Sequence, residues 1–201
     1  MELPGAIKDL GESLIAPRQV VKILITERRG LTFSFFVVLV FSIVEGMVAT
    51  LTFIGKLGSF IPVPFVGGFL GRVALFFGTI FYVILCICYW VLGGLIIHLF
   101  CRLFKGCGDF EHTLTAFAFL WIPAFIIGLL SPVILALDYI SGIGLFLLLF
   151  FVSLIWGLII SVQALSEVHG FGIGKAFLSL IIPMIIIFIL LPTLITLIMI
   201  W

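Results

Sequence analysis

The chain has 201 residues, of which 64% are hydrophobic and 9% are charged, and its formal net charge at pH 7 is +1. Soluble domains carry roughly 25% charged residues, so this composition excludes an ordinary soluble protein and indicates an integral membrane protein. A nearly neutral chain without a clustered basic face also excludes a nucleic-acid-binding protein, because such proteins must neutralise phosphates.

The first segment, residues 1–30, has an amphipathic pattern. Apolar residues recur at helical spacing with charged residues between them, and Pro17 should divide the segment into two helical pieces, the second beginning at the proline. Two interpretations stay open: a helix that lies on the inner membrane surface and a helix that docks a partner protein. The apolar positions are Ile7, Leu10, Leu14, Ile15, Val20, Val21, Leu24 and Ile25.

Five apolar runs follow, each of about 20 residues or more, which is enough to cross a bilayer as a helix. We therefore predict an all-α membrane protein, in which the amphipathic segment 1–30 precedes a bundle of five transmembrane helices formed by residues 31–201. The approximate spans are 31–54, 73–100, 114–137, 143–165 and 176–201.

Basic residues are divided unevenly between the two sides of this predicted bundle. Short cytoplasmic loops are enriched in Lys and Arg, so we predict that the N-terminus lies inside and the C-terminus outside. The inner side would hold Lys8, Arg18, Lys22, Arg28, Arg29, Arg102, Lys105 and Lys175, whereas the outer side would hold Lys56 and Arg72.

The third and fifth runs match at a constant offset of 60 residues, for example from Pro123 to Pro183. Each run carries two prolines at the same spacing and follows a G-x-G sequence. Two interpretations stay open: an internal repeat about the membrane normal, and two independent kinks that face neighbouring helices. The residues concerned are the predicted kinks Pro123, Pro132, Pro183 and Pro192, and the glycines Gly106, Gly108, Gly170 and Gly172.

Glu45 lies within the first predicted span. An intramembrane carboxylate is costly unless it is protonated, paired or facing water, so Glu45 is a functional-site hypothesis. It is interpreted either as a structural group, bonded across helices or paired with Arg72 or Lys56, or as a site on a proton or ion path.

The stretch from His98 to His112 contains the ligand types of a zinc site, His98, Cys101, Cys107 and His112. Closed four-ligand sites usually show a tighter paired spacing. The sequence therefore favours a turn between two spans and no metal, and zinc stays the alternative.

The sequence HGFGIGK, residues 169–175, departs from a phosphate-binding loop because His169 stands where the first Gly should be and Ala176 follows Lys175. We interpret it as a Gly-rich turn, with Lys175 anchoring the fifth span at the headgroups. The chain shows no readable set of nucleophile, base and orienting group. We therefore expect neither an enzyme nor a cofactor.

Three passages resemble the Yip1 domain family of integral membrane proteins: APRQVVKILITERRG at 16–30, KGCGDFEHTLTAFAFLWIP at 105–123 and LSEVHGFGIGKAF at 165–177. The resemblance extends from about Leu14 to Trp201. Eukaryotic relatives have a long polar N-terminal region and are linked to Rab-type GTPases and to traffic in the endoplasmic reticulum and Golgi. This chain has about thirty residues there and looks like the short prokaryotic type.

The resemblance implies a non-enzymatic membrane scaffold that organises the bilayer or recruits membrane or cytoplasmic proteins, in the cell membrane of a prokaryote or in the endoplasmic reticulum or Golgi of a eukaryote. Self-association into a homo-oligomer stays open. Glu167 or Asp109 is expected to pair with Lys175 or Arg102. The alternative is a small oligomeric transporter or channel that uses the kinked helices and Glu45. The candidate loop and partner residues are Pro17, Arg18, Gly106, Gly108, Asp109, Phe110, Glu167, His169 and Lys175.

Overall fold

The computed structural model of the chain describes residues 3–60, 69–135 and 139–200, and it describes most side chains within 5–54, 71–130 and 144–186. Across these ranges the chain forms helices and no strand, which confirms the all-α prediction. The helices are α1 (Leu3–Ser13), α2 (Pro17–Thr26), α3 (Gly30–Phe60), α4 (Phe69–Leu103), α5 (Phe110–Ala118), α6 (Trp121–Leu135), α7 (Tyr139–His169) and α8 (Ile173–Ile200).

Four segments are long and apolar enough to cross a membrane, which makes the chain an integral membrane protein by length and composition. These segments coincide with the first four predicted runs. The part of α8 whose side chains the structure describes, Ile173–Ile186, is apolar but shorter than a span. The four segments are Gly30–Ile54, Gly71–Leu103, Phe110–Leu130 and Gly144–His169.

The third run consists of two helices, α5 and α6, and not of one. At the junction the amides of Phe119 and Leu120 donate to carbonyls three residues earlier, at 3.3 and 3.1 Å. Pro123 explains the break, because it offers no N–H to the carbonyl of Phe119 and its ring crowds that carbonyl. By contrast, α8 continues through Pro183. The side chains of Pro132 and Pro192 lie outside the described residues.

The buried core surrounds α5. Helix α4 approaches α5 closely at Gly93, where an added Cβ would lie 3.1 Å from the ring of Phe117. The indole Nε1 of Trp90 donates to the carbonyl of Leu114 at 3.1 Å, so a buried polar group of α4 is satisfied by the backbone of α5. These contacts fix where α5 begins relative to the end of α4.

The two N-terminal helices pack against the bundle itself. Val20, Val21 and Leu24 of α2 are buried in the main core cluster, and Leu10 and Leu14 pack against its edge. Helix α2 meets α7 along this face, with smaller contacts to α3 and α5. The Val20–Leu24 face is therefore occupied by the protein, and neither lipid nor a partner can use it without displacing α2.

Candidate functional site

The candidate site lies where α4 ends, α5 begins and α7 ends. The last turn of α4 closes with the amide of Gly106 donating to the carbonyl of Cys101 at 2.8 Å, while Lys105 adopts a φ of 64°. This is the backbone pattern of a helix C-terminus that reverses direction. Helix α7 ends similarly, with Gly170 at a φ of 65°. Both reversals bring the α4–α5 loop against His169.

His169 is buried and bonded on both ring nitrogens. The amide of Gly108 donates to Nδ1 at 3.2 Å, and Nε2 lies 3.0 Å from the hydroxyl of Thr113. Because Nδ1 accepts a hydrogen bond, the single proton of a neutral imidazole is assigned to Nε2, which donates to Thr113. The ring also stacks on Phe171 at a centroid distance of 5.3 Å and an interplanar angle of 8°.

Thr113 connects His169 to a second histidine. Its Oγ1 lies 2.8 Å from Nδ1 of His98 and donates to the carbonyl of Asp109 at 3.0 Å. On the far side of the second ring, Nε of Arg102 donates to Nε2 of His98 at 3.4 Å. One arrangement satisfies every bond: the hydroxyl accepts from both rings and donates once, with both histidines neutral. A single hydroxyl thus ties α4, α5 and α7 together.

The G-x-G sequence of the α4–α5 loop has a steric cause. A Cβ on Gly106 would lie 2.6 Å from Nδ1 of His169 and 2.8 Å from Phe171. A Cβ on Gly108 would lie 2.7 Å from the carbonyl oxygen of Val168. Real Cβ atoms do not come this close, so any larger residue would push the loop away from α7.

The loop has a buried edge and an exposed edge. Gly106 and Gly108 are buried, whereas Lys105, Cys107 and Asp109 between and beside them are exposed. Asp109 stands at the N-cap position of α5, with extended backbone angles. The ring of Phe110 packs edge-on against His98 at 5.7 Å. The loop therefore presents three exposed side chains on a backbone that is held against α7.

Glu167 belongs to the same end of the bundle but has a different partner from the one expected. Its carboxylate lies 3.7 Å from Nζ of Lys22 on α2. Within the described part of the chain, neither Lys175 nor Arg102 forms an ion pair. The expected pairing with those residues is therefore wrong, because α2 packs along the last turns of α7 and brings Lys22 closer.

The remaining loop candidates lie apart from His169. Pro17 is the first residue of α2, and Arg18 beside it is exposed. Lys175 is exposed in the first turn of α8. The structure thus brings together Gly106, Gly108 and His169, and leaves the two basic candidates on the surface.

Thr113 and Lys22 were not among the candidates. The sequence gives Thr113 only a weak signal, because it lies just before residue 114, the predicted start of the third span. Its contacts with His98 and His169 depend on how α4 and α7 are rotated relative to α5. No local sequence pattern encodes these rotations. Lys22 is one of several charges on an amphipathic helix, and only the packing of α2 selects it.

The alternative zinc ligands do not converge. Both nitrogens of His98 are already bonded, Cys101 is buried and Cys107 is exposed. Among the residues the structure describes, no three His, Cys, Asp or Glu side chains are placed to hold a metal ion. The four residues of the zinc hypothesis, including His112, therefore form no such site.

Glu45 faces the interface of three helices. Its carboxylate packs directly over Gly128 of α6, where an added Cβ would force the end of the Glu45 side chain to move. On the side of α4, Tyr82 and Cys86 are its neighbours. Arg72 is exposed and makes no ion pair with Glu45. The side chain of Lys56 lies outside the described residues.

One of three comparisons with known proteins finds a match. Neither the search of curated proteins nor the search of solved structures finds a match. The family model of the Yip1 domain matches residues 11–195. This range contains the α4–α5 loop, the end of α7, the whole of α2 and the four membrane-crossing segments. The chain therefore belongs to the Yip1 domain family.

Proposed function

We propose that the chain is a non-enzymatic scaffold or adaptor, with five spans and its N-terminus inside, that recruits a protein partner to its cytoplasmic face or organises the membrane around it. Membership of the Yip1 family supports a membrane-associated role and links it to membrane trafficking. The recruiting surface in this proposal is the exposed edge of the α4–α5 loop: Lys105, Cys107 and Asp109.

The observation that carries this proposal is the fixed geometry of that loop. Exposed loops are ordinarily mobile, but here two buried glycines pack against a histidine that is bonded on both sides. A surface that is ordered before binding loses less conformational entropy when a partner arrives. The backbone that carries Lys105 and Asp109 is therefore already ordered by its contacts with α7 before a partner binds.

The test is a charge swap with a matched control. Lys105→Asp combined with Asp109→Lys exchanges two charges on the loop, while Lys8→Glu combined with Glu12→Lys exchanges two charges of an exposed pair on α1. We expect a quantitative pull-down from native membranes to lose a defined partner only with the loop swap. Because Asp109 stands at the N-cap position of α5, the loop swap should also lower the melting temperature by a few degrees, while both variants stay folded at the temperature of the pull-down. Identical partner sets for the wild type and both swaps would overturn the proposal.

The topology has its own test. Fusion of an enzyme that is active only outside the cytoplasm to residue 201 should give activity, and fusion after Lys105 should give none. Five spans place these two points on opposite sides of the membrane. Activity at both points, or only after Lys105, would reject the arrangement.

Transport is the second candidate function, and Glu45 is the observation that favours it. A carboxylate within a membrane-crossing segment, without a basic partner in the described part of the chain, can bind a proton or cation. Purified protein in liposomes should then show proton or cation flux that disappears in Glu45→Gln and persists in Glu167→Gln. A wild-type protein without flux would reject this candidate.

A further inference from the structure

The turn between α1 and α2 exposes the most solvent-accessible large apolar side chain of the described residues, Ile15, at 88%. Leu14 and Ile15 form one wall of a shallow groove of about 360 Å³. The facing wall belongs to α6 and α7 and includes Pro123, Ile126 and Trp156. An isoleucine this exposed gains free energy when its surface moves from water into an apolar environment.

The position of the turn along α7 gives its depth. Lys22 of α2 pairs with Glu167 near the end of α7, whereas Leu14 and Ile15 lie beside Trp156. Trp156 stands about 20 Å before His169 at 1.5 Å per residue, within the membrane-crossing segment Gly144–His169. Half of a hydrocarbon core is about 15 Å thick. The 26 residues of that segment are about 39 Å long at 1.5 Å per residue, more than the roughly 30 Å of a hydrocarbon core, so the last turns of α7 can extend beyond the core. Helix α2 follows α7 from those turns toward the hydrocarbon, which brings Leu14 and Ile15 nearer to it than Lys22 is.

The backbone of the turn is compatible with hydrocarbon. Non-helical backbone at membrane depth requires satisfied polar groups. The amides of Leu14, Ile15 and Ala16 donate to carbonyls of Gly11 and Glu12 at 2.8 to 3.3 Å, and the next residue, Pro17, has no amide N–H. The hydroxyl of Ser13 donates to the carbonyl of Leu10 at 2.7 Å.

Charged residues flank the turn and limit how deep it can enter the hydrocarbon. Glu12 is paired with Lys8 at 3.7 Å, and the long side chain of Arg18 can extend toward the headgroups while its stem stays in an apolar region. Arg29 at the other end of α2 pairs with Asp9 at 3.3 Å. Residues 13–17, SLIAP, carry no charge.

We propose that the turn around Leu14 and Ile15 is a lipid-binding element, which enters the hydrocarbon of the leaflet on the N-terminal side and holds an acyl chain in the groove against α6 and α7. Lipid is the occupant because the groove continues into apolar surface of α6 and α7 that is exposed within the membrane-crossing segments, at Ile126, Val152 and Ile155. The inference depends on the chain being in a membrane and is independent of the scaffold proposal.

The test is depth-dependent fluorescence quenching in vesicles. Cys88 and Cys107, the exposed cysteines, are changed to Ser, and a fluorophore is attached to Ile15→Cys or, as the aqueous control, to Lys105→Cys. Ile15 packs little against the protein, so its replacement should leave the fold intact. We expect phosphatidylcholine brominated in its acyl chains to remove most of the fluorescence at position 15 and little at position 105, and aqueous iodide to do the reverse.

Two outcomes would overturn the proposal. Iodide quenching at position 15 equal to that at position 105 would place the turn in water. Protection of position 15 from both quenchers, lost when the protein is diluted into more lipid, would show that a second copy fills the groove. Quenching by brominated lipid at every dilution supports the acyl-chain assignment.

Discussion

The segments that the sequence aligns at an offset of 60 residues, α5–α6 and α8, have different places in the bundle. In Phe110–Leu130, 61% of an 18-residue apolar stretch is buried, compared with at most 28% of the corresponding stretch in the other three membrane-crossing segments. Ala116 and its counterpart Ala176 are both buried, but Phe117 is 1% exposed and Phe177 is 41% exposed. Similar sequence therefore does not imply a similar environment here.

The two G-x-G sequences differ in the same way. Gly106 and Gly108 lack a side chain because His169 and Val168 occupy the space. Gly170 instead adopts a φ of 65°, which favours Gly at a helix end, and the space around Gly172 is open. One motif is required by packing between helices and the other by local backbone geometry, and this difference can be tested.

The largest difference is expected between Phe117→Ala and Phe177→Ala. Removing a buried aromatic ring costs about 3–5 kcal/mol, whereas Phe177 is partly exposed and its removal should cost about 1 kcal/mol or less. Equilibrium unfolding in detergent measures both values. Equal losses would show that the two segments are packed equivalently and that α5 has no special place.

Gly108→Ala should destabilise the protein by about 2–3 kcal/mol, in the upper part of the range for overpacking, because the carbonyl of Val168 is backbone and cannot rotate away. Gly172→Ala should change stability by about 0.5 kcal/mol or less, since an added Cβ would meet nothing within 4 Å. Melting temperatures in the same detergent compare the pair. A tolerated Gly108→Ala would contradict the close packing of the loop on α7.

Thr113→Val should cost about 2 kcal/mol, because His98 and His169 each lose an acceptor inside the protein. Thr115→Val is the matched control on the same helix, since its hydroxyl bonds to the carbonyl of Glu111 within its own helix at 3.0 Å and should matter less. The readout is the free energy of unfolding. If the two variants are equally stable, the hydroxyl of Thr113 does not join the three helices.

The smallest effect concerns Lys22 and Glu167. Exposed ion pairs contribute about 0.2–1 kcal/mol, and the Lys22 side chain is largely exposed. A double-mutant cycle with Lys22→Gln and Glu167→Gln should give a coupling energy in that range, while a cycle with Lys175→Gln should give none. Coupling to Lys175 and not to Lys22 would restore the pairing expected from the sequence.

The sequence alone was sufficient to predict an all-α integral membrane protein. Low charge and long apolar runs predict membrane-crossing helices because the bilayer leaves few other ways to satisfy the backbone. The Yip1 resemblance, based on short passages in a fixed order, is confirmed by the family match. The glycines and His169 were also among the candidates, although the sequence did not show that they touch.

Tertiary structure alone decided which side chains meet. Whether Phe117 or Phe177 is buried, whether Glu167 pairs with Lys22 or Lys175, and whether Thr113 bridges two histidines all depend on the relative rotation and depth of several helices. In a chain this apolar, every face of a helix resembles the next in sequence, since lipid and protein interior are both apolar. The sequence predicts the helices and the candidate residues, whereas the packing of the helices decides which side chains contact each other.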